Sequence, residues 1–289
     1  MANCIRCGRQ LPGFTFGRKI CQWCVQHEAQ QRGGVSDEAK QPVMPMPWVR
    51  RGESTISLTQ VIFGMNVAVF LGMALATSTI MDFPGPDLVR WGANFGAYTL
   101  TGEWWRLLTG VFVHGGLIHI AFNMWCLWDL GALCEALYGR WTYAAIYFIC
   151  GIGASLGSLV WNPFAFSVGA SGAIFGLAGA LLAAFQLGEF SVPRSALSGV
   201  LRSLGAFVVY NLIFGFAISG IDNAAHIGGL ITGLILGAVI ALLAPRQEHT
   251  SRRAVIFLLA IFALTTIAIG LARFHGFPLR FGKSPFDQT

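Results

Sequence analysis

Charge is what this chain has least of. Asp, Glu, Lys and Arg make up 11% of its 289 residues, while 55% are hydrophobic and the mean hydropathy is +0.62. A soluble domain carries about 25% charged residues, so a water-facing globular body is excluded for most of the chain. An early apolar run is missing too. The start, MANCIRCGRQLPGF, is rich in Cys and Arg and has no h-region. A cleaved signal peptide is therefore not expected, and the first hydrophobic run must serve as an uncleaved anchor. No HExxH occurs, which removes an intramembrane metalloprotease. Rows of intramembrane carboxylates and broken inverted repeats, the marks of a channel or transporter, are not evident either. The net charge of +6 fits basic cytoplasmic loops of a membrane protein. Nothing beyond charge speaks for nucleic acid, and none is expected as a partner.

From about Leu58 onward the apolar runs reach the ~20 residues that crossing ~30 Å of hydrocarbon requires. Spans are expected at roughly 59–80, 117–137, 142–161, 170–188, 198–219, 225–244 and 254–273. The fold class is thus an all-α polytopic membrane protein. A six-helix core fills residues 58–245, and a seventh span with a tail fills 246–289. Residues 1–27 read as a small polar module, and 28–57, rich in Gln, Gly and Pro, as a linker. The stretch 81–116 is too polar and interrupted to cross. It holds Pro84, Pro86 and the amphiphilic GEWWRLL, whose tryptophans suit a membrane–water boundary. Basic residues set the orientation. With the N-terminus inside, the head and linker, Arg140, Arg194, Arg202, Arg246, Arg252 and Arg253 all lie inside, against Arg90, Arg106, Arg273, Arg280 and Lys283 outside. The expected location is a bacterial inner or plasma membrane.

The head carries Cys4-Ile-Arg-Cys7 and Cys21-Gln-Trp-Cys24, two CxxC pairs. Four thiolates close a tetrahedral site, and two knuckles at this spacing suit structural Zn²⁺. A module this short lacks a core, so metal would supply much of its folding free energy. Two disulfides are the competing reading, disfavoured on a reducing cytoplasmic side. Cys126, Cys134 and Cys150, in apolar segments, read as packing residues.

Three motifs carry chemistry. His114-Gly-Gly-Leu-Ile-His119-Ile-Ala-Phe-Asn123 enters the second span, with His119 and Asn123 four apart on one helix face. Gly169-Ala170-Ser171-Gly172 opens the fourth span, and Ala225-His226-Ile227-Gly228-Gly229 opens the sixth. Under the inside-N topology all three spans begin at the outer face. His119, Asn123, Ser171 and His226 then share one depth on three helices. Each alone has a bland explanation. A serine in an apolar helix usually bonds the carbonyl a turn earlier, GxSG is common where helices pack, and Asn123 reads as interhelical glue. Polar groups at this depth are costly unless paired, so their coincidence marks a site. Asp222 and Asn223 most simply cap the sixth helix. Gly172, Gly176 and Gly179 are expected to face Gly229, Gly233 and Gly237, allowing close helix approach.

Across about residues 59–245 the sequence resembles the rhomboid family of intramembrane serine proteases. Trp105-Arg106, His114…His119…Asn123, Gly169-Ala-Ser171-Gly172 and Ala225-His226 followed by glycines carry the resemblance. The seventh span is similar to the six-plus-one arrangement of that family; the metal-binding head is an addition to the shared core. The resemblance implies a Ser171–His226 dyad with no acid member, and no Asp or Glu lies at comparable depth on spans two to five. It implies an oxyanion held by the Ser171 N–H, His119 and Asn123, with His114 as a support. No cofactor is implied for catalysis. The implied substrates are single-span transmembrane proteins met in the bilayer, with the first loop and the fifth span gating their entry. Where many members have tyrosine four residues after the serine, this chain has Phe175. The competing reading is an inactive relative that binds transmembrane clients; such relatives lack the serine or the histidine.

Overall fold

Ser57 starts the first long helix by a reciprocal cap. Its hydroxyl accepts from the Gln60 N–H (3.1 Å), and the Gln60 side chain accepts from the Ser57 N–H (3.0 Å). Helix α1 then runs Leu58–Thr77 and ends at Ser78, whose φ of 56° breaks the helix. Three short helices follow in the first loop: α2 (Gly85–Arg90), α3 (Gly96–Thr99) and α4 (Arg106–Thr109). Five more complete the body: α5 (Leu117–Tyr138), α6 (Arg140–Trp161), α7 (Ser171–Leu187), α8 (Arg194–Ala217) and α9 (Asn223–Leu243). The computed structural model describes residues 4–8, 20, 24, 56–187, 194–218 and 220–243, the side chains of 194–197 and 243 excepted. The expected seventh span, 254–273, lies outside the described residues.

No strand occurs among the described residues, only an isolated bridge between Asn94 and Ser167. Among the described residues, five helices are long and apolar enough to cross a membrane: α1, α5, α6, α8 from Ser198, and α9 to Leu242. The chain is a multi-pass membrane protein. Helix α7, expected at 170–188, is described over Ser171–Leu187. It is also the centre: Gly172–Leu181 are buried without interruption, as in a helix surrounded by neighbours. Helices α5, α6 and α9 pack round it, α1 lies on α5, and α8 touches α7 and α9.

Glycine sets the α7–α9 distance. A methyl group added at Gly229 would land on the Gly172 carbonyl, and one at Gly233 on the Gly176 carbonyl. At Gly237 it would lie 2.5 Å from the Ala180 carbonyl oxygen, so the third facing partner is Ala180 rather than Gly179. Gly179 instead meets the Leu230 carbonyl, also at 2.5 Å. The C-terminal end of α5 is tied to the start of α1 by Glu135, which accepts from the N–H groups of Leu58 (2.7 Å) and Thr59 (2.9 Å) and the Thr59 hydroxyl (2.8 Å).

The first loop is more ordered than a surface strap. Arg106 is buried, pairs with Glu103 at 2.6 Å, and donates to the carbonyls of Val89 (2.6 Å) and Ala93 (3.2 Å). Asn94 donates to the Ser155 carbonyl (3.0 Å), and Ser155 donates to the Leu107 carbonyl (2.9 Å), pinning the loop onto α6.

The chain divides into two compact units, Met1–Met46 and Pro47–Thr289. In the first, Cys4 and Cys24 are buried, with Ile20 packed on them.

Candidate active site

Ser171 is the first residue of α7, and its position is set by the two residues before it. Gly169 has φ +108°, a conformation that side-chain-bearing residues rarely adopt, and its N–H donates to the Gly110 carbonyl (2.9 Å). A side chain there would also collide with His119, since an added Cβ would lie 2.6 Å from Nε2. The Ala170 N–H donates to His114 Nε2 at 3.4 Å. This fixes the His114 tautomer: Nδ1 carries the proton and donates to the Phe112 carbonyl (3.2 Å). His114 is fully buried, and that burial, helped by neighbouring His119, pushes its pKa down to about 3. It stays neutral and acts as a strut between the first loop and the start of α7.

His226 enters from the first turn of α9, which Asp222 caps by accepting from the Ala225 N–H (2.9 Å). His226 Nε2 lies 2.9 Å from Ser171 Oγ. Its other nitrogen, Nδ1, is buried and has no hydrogen-bond partner among the described residues. The imidazole is steered by stacking instead: Phe175 lies flat on it, with centroids 4.3 Å apart and planes 9° apart. Phe207 of α8 packs on the far side of Phe175 at 5.6 Å.

His119 and Asn123 lie one turn apart on α5, and both side chains face Gly169. His119 Nδ1 accepts from the Gly115 N–H (3.3 Å), which leaves the ring proton on Nε2, the atom facing Gly169. Asn123 donates one amide hydrogen to the His119 carbonyl (2.8 Å). Its Nδ2 lies 3.8 Å from where a Gly169 Cβ would be. Two side-chain donors therefore converge just N-terminal to Ser171, beside the unsatisfied N–H groups of a helix start.

Ser171, His226, His119, Asn123 and His114 thus gather from three helices and one loop. Asn223, expected to cap α9 with Asp222, makes no capping bond among the described residues: it donates to the Leu212 carbonyl of α8 (3.2 Å), and a side chain at Gly215 would collide with it. Sequence reasoning did not foresee the pinning role of Glu135 or the Asn94–Ser155 link. An isolated acid four residues before Gly139, in the last turn of an apolar span, was the available signal for the first; the second had none. Helix α5 also carries Asp129, well below the depth of His119.

In the head, the sulfurs of Cys4, Cys7 and Cys24 lie within 4.8 Å of one another. Cys21 lies outside the described residues.

Residues 101–243 match the family model described as the Rhomboid domain. The chain is 32% identical to the rhomboid protease AarA of Providencia stuartii over 241 residues, covering 76% of this chain and 84% of that protein. It is 41% identical to the rhomboid protease GluP of Bacillus subtilis over 187 residues, 63% of this chain but only 34% of GluP's length. RHOMBOID-like protein 5 of Arabidopsis thaliana is 36% identical over 168 residues, 57% of this chain and 53% of that protein.

Proposed function

The chain belongs to the rhomboid family, and from that premise we propose that it is an intramembrane serine endopeptidase working through a Ser171–His226 dyad. The observation that carries the reading is the 2.9 Å approach of His226 Nε2 to Ser171 Oγ, a general-base distance, at the buried head of α7. In this mechanism Ser171 Oγ attacks the scissile carbonyl while His226 Nε2 takes its proton. The tetrahedral oxyanion is held by the Ser171 N–H, the His119 Nε2–H and the Asn123 amide. Collapse expels the amine, which receives the proton back from His226, and water then hydrolyses the acyl-enzyme by the same exchange. With Nδ1 unpartnered, ring orientation rests on the Phe175 stack rather than on a carboxylate.

The substrates on this reading are single-span membrane proteins, cut in or near their transmembrane segments. The N-terminus lies in the cytoplasm of a bacterial cell and the site opens outward, as the basic residues favour. The domains are a metal-binding head (1–27), a linker (28–57), the protease core (58–245) and a seventh span with a tail (246–289). In the head, Cys4, Cys7 and Cys24, with Cys21 as fourth ligand, hold structural Zn²⁺; the clustered sulfurs support this. Elemental analysis of purified protein should give about one Zn per chain, lost on replacing Cys4 and Cys7 by serine.

The deciding experiment for the activity is labelling of detergent-purified protein with a fluorophosphonate probe, wild type beside Ser171→Ala and His226→Ala. Labelling in wild type alone supports the dyad. No labelling of folded protein in any sample would replace it with a non-cleaving client-binding role.

A further inference from the structure

The stacked Phe175 sets the plane of the His226 ring but not which nitrogen carries its proton. On the dyad reading Nε2 accepts from the Ser171 hydroxyl, so the hydrogen belongs on Nδ1. That makes Nδ1–H a donor without a partner among the described residues, in a side chain only 7% exposed. An unpaired buried donor is costly, and the cost favours the other tautomer, which cannot take the serine proton.

An acceptor in the same condition stands one turn away. Asp222 caps α9 through Oδ1, which accepts from the Ala225 N–H at 2.9 Å. Capping leaves Oδ2 unexplained: it is buried and has no hydrogen-bond partner among the described residues. Asp222 and His226 are four apart, and the His226 N–H donates to the Asp222 carbonyl (3.2 Å), so both belong to the first turn of α9. A helical side chain leans back toward the N-terminus, which carries the imidazole toward Asp222. The two groups interact electrostatically. A third unpartnered atom nearby, Asn223 Oδ1, faces α8 at Gly215 and does not compete.

We propose that Asp222 is a positioning residue for His226, with one water molecule linking Nδ1–H to Asp222 Oδ2. The water accepts from Nδ1–H and donates to Oδ2, which satisfies both buried groups. The link holds the tautomer in which Nε2 presents its lone pair to Ser171. When Nε2 takes the serine proton the ring becomes an imidazolium, and the carboxylate on its far side stabilises that charge. The proton passes from the ring to the leaving amine, and Asp222 takes none. The inference rests on the Ser171–His226 reading and adds to it an acid acting through water.

Asp222→Asn separates this role from capping, because asparagine caps a helix as well as aspartate does. It keeps an oxygen for the Ala225 N–H and puts an amide donor where Oδ2 stood. The detergent-purified full chain would be labelled with the fluorophosphonate probe, wild type beside Asp222→Asn and Asp222→Ser, serine being a cap as well. Asp222→Asn should keep the wild-type melting temperature while its labelling slows about tenfold to about a hundredfold. A carboxylate touching its imidazole directly is worth about 10⁴ in this exchange, and the water link leaves less to lose. Asp222→Ser, with no opposing donor, should slow less. Nitrogen-15 NMR of histidine-labelled protein, with His226 assigned by comparison with His226→Ala, reads the tautomer without any reaction. It should show Nδ1 protonated in wild type and a shift toward Nε2 protonation in Asp222→Asn. Wild-type labelling and an unchanged His226 spectrum in Asp222→Asn would overturn the inference and leave the dyad standing. Wild-type protein that does not label would count against the dyad itself, and the spectrum would still decide whether Asp222 sets the tautomer.

Discussion

Where α7 meets α9, glycine faces backbone carbonyl over three successive turns, and no side chain fits between. Where α8 meets the same two helices, contact is made by a few separate points: Leu204 and Val208 are buried, Phe207 leans on Phe175, and Asn223 reaches the Leu212 carbonyl. The rest of α8, including Tyr210, Phe214 and Phe216, is turned outward. One boundary has a fixed distance set by backbone, the other an adjustable one set by side chains. Ser171 and His226 meet across the first. On the proposed function, a cleft that admits a substrate helix gains by opening along the second, because α8 can then move without separating the two.

Breaking the fixed boundary should have the largest effect. Gly233→Val drives a branched side chain into the Gly176 carbonyl, and the cost of roughly 3 kcal/mol should appear as a lower melting temperature and loss of all cleavage. Gly169→Ala comes next. It strains a positive φ and presses on His119, so cleavage should fall about 10²-fold, with most of the protein still folded by circular dichroism. Loosening the adjustable boundary should act elsewhere. Phe207→Ala should speed amide hydrogen exchange along α8 by about tenfold while α7 and α9 stay protected. Asn223→Ala should do the same by about threefold, confined to the turns around Leu212. Equal exchange in α7 and α8 after Phe207→Ala would erase the distinction between the two boundaries.

How much of this was legible in the sequence follows from the range of each interaction. The long helices and the motif residues were readable, since apolar runs and short spacings are local signals. The glycine seam was readable to within one residue: the third pair falls on Ala180 because the facing rows keep an i, i+4 spacing, 172, 176 and 180 against 229, 233 and 237. What escaped were contacts joining residues far apart by single hydrogen bonds. Glu135 to Leu58 and Thr59, Asn94 to Ser155 and Arg106 to Val89 have no sequence period. The internal helices of the first loop escaped for the same reason, being held by Arg106 and Asn94 rather than by amphipathic pattern. Phe175 was picked out as a departure from tyrosine, and its 4.3 Å face-on packing shows how an imidazole is aimed when its outer nitrogen has no acceptor among the described residues.

The burial of α7 has a consequence for how this chain can vary. Gly172–Leu181 are buried without interruption, so no residue of that stretch meets lipid. A larger side chain there must push against a neighbouring helix rather than into the bilayer. Tolerance to substitution should therefore be lowest along α7 and highest along the outward side of α8, where Tyr210, Phe214 and Phe216 are exposed.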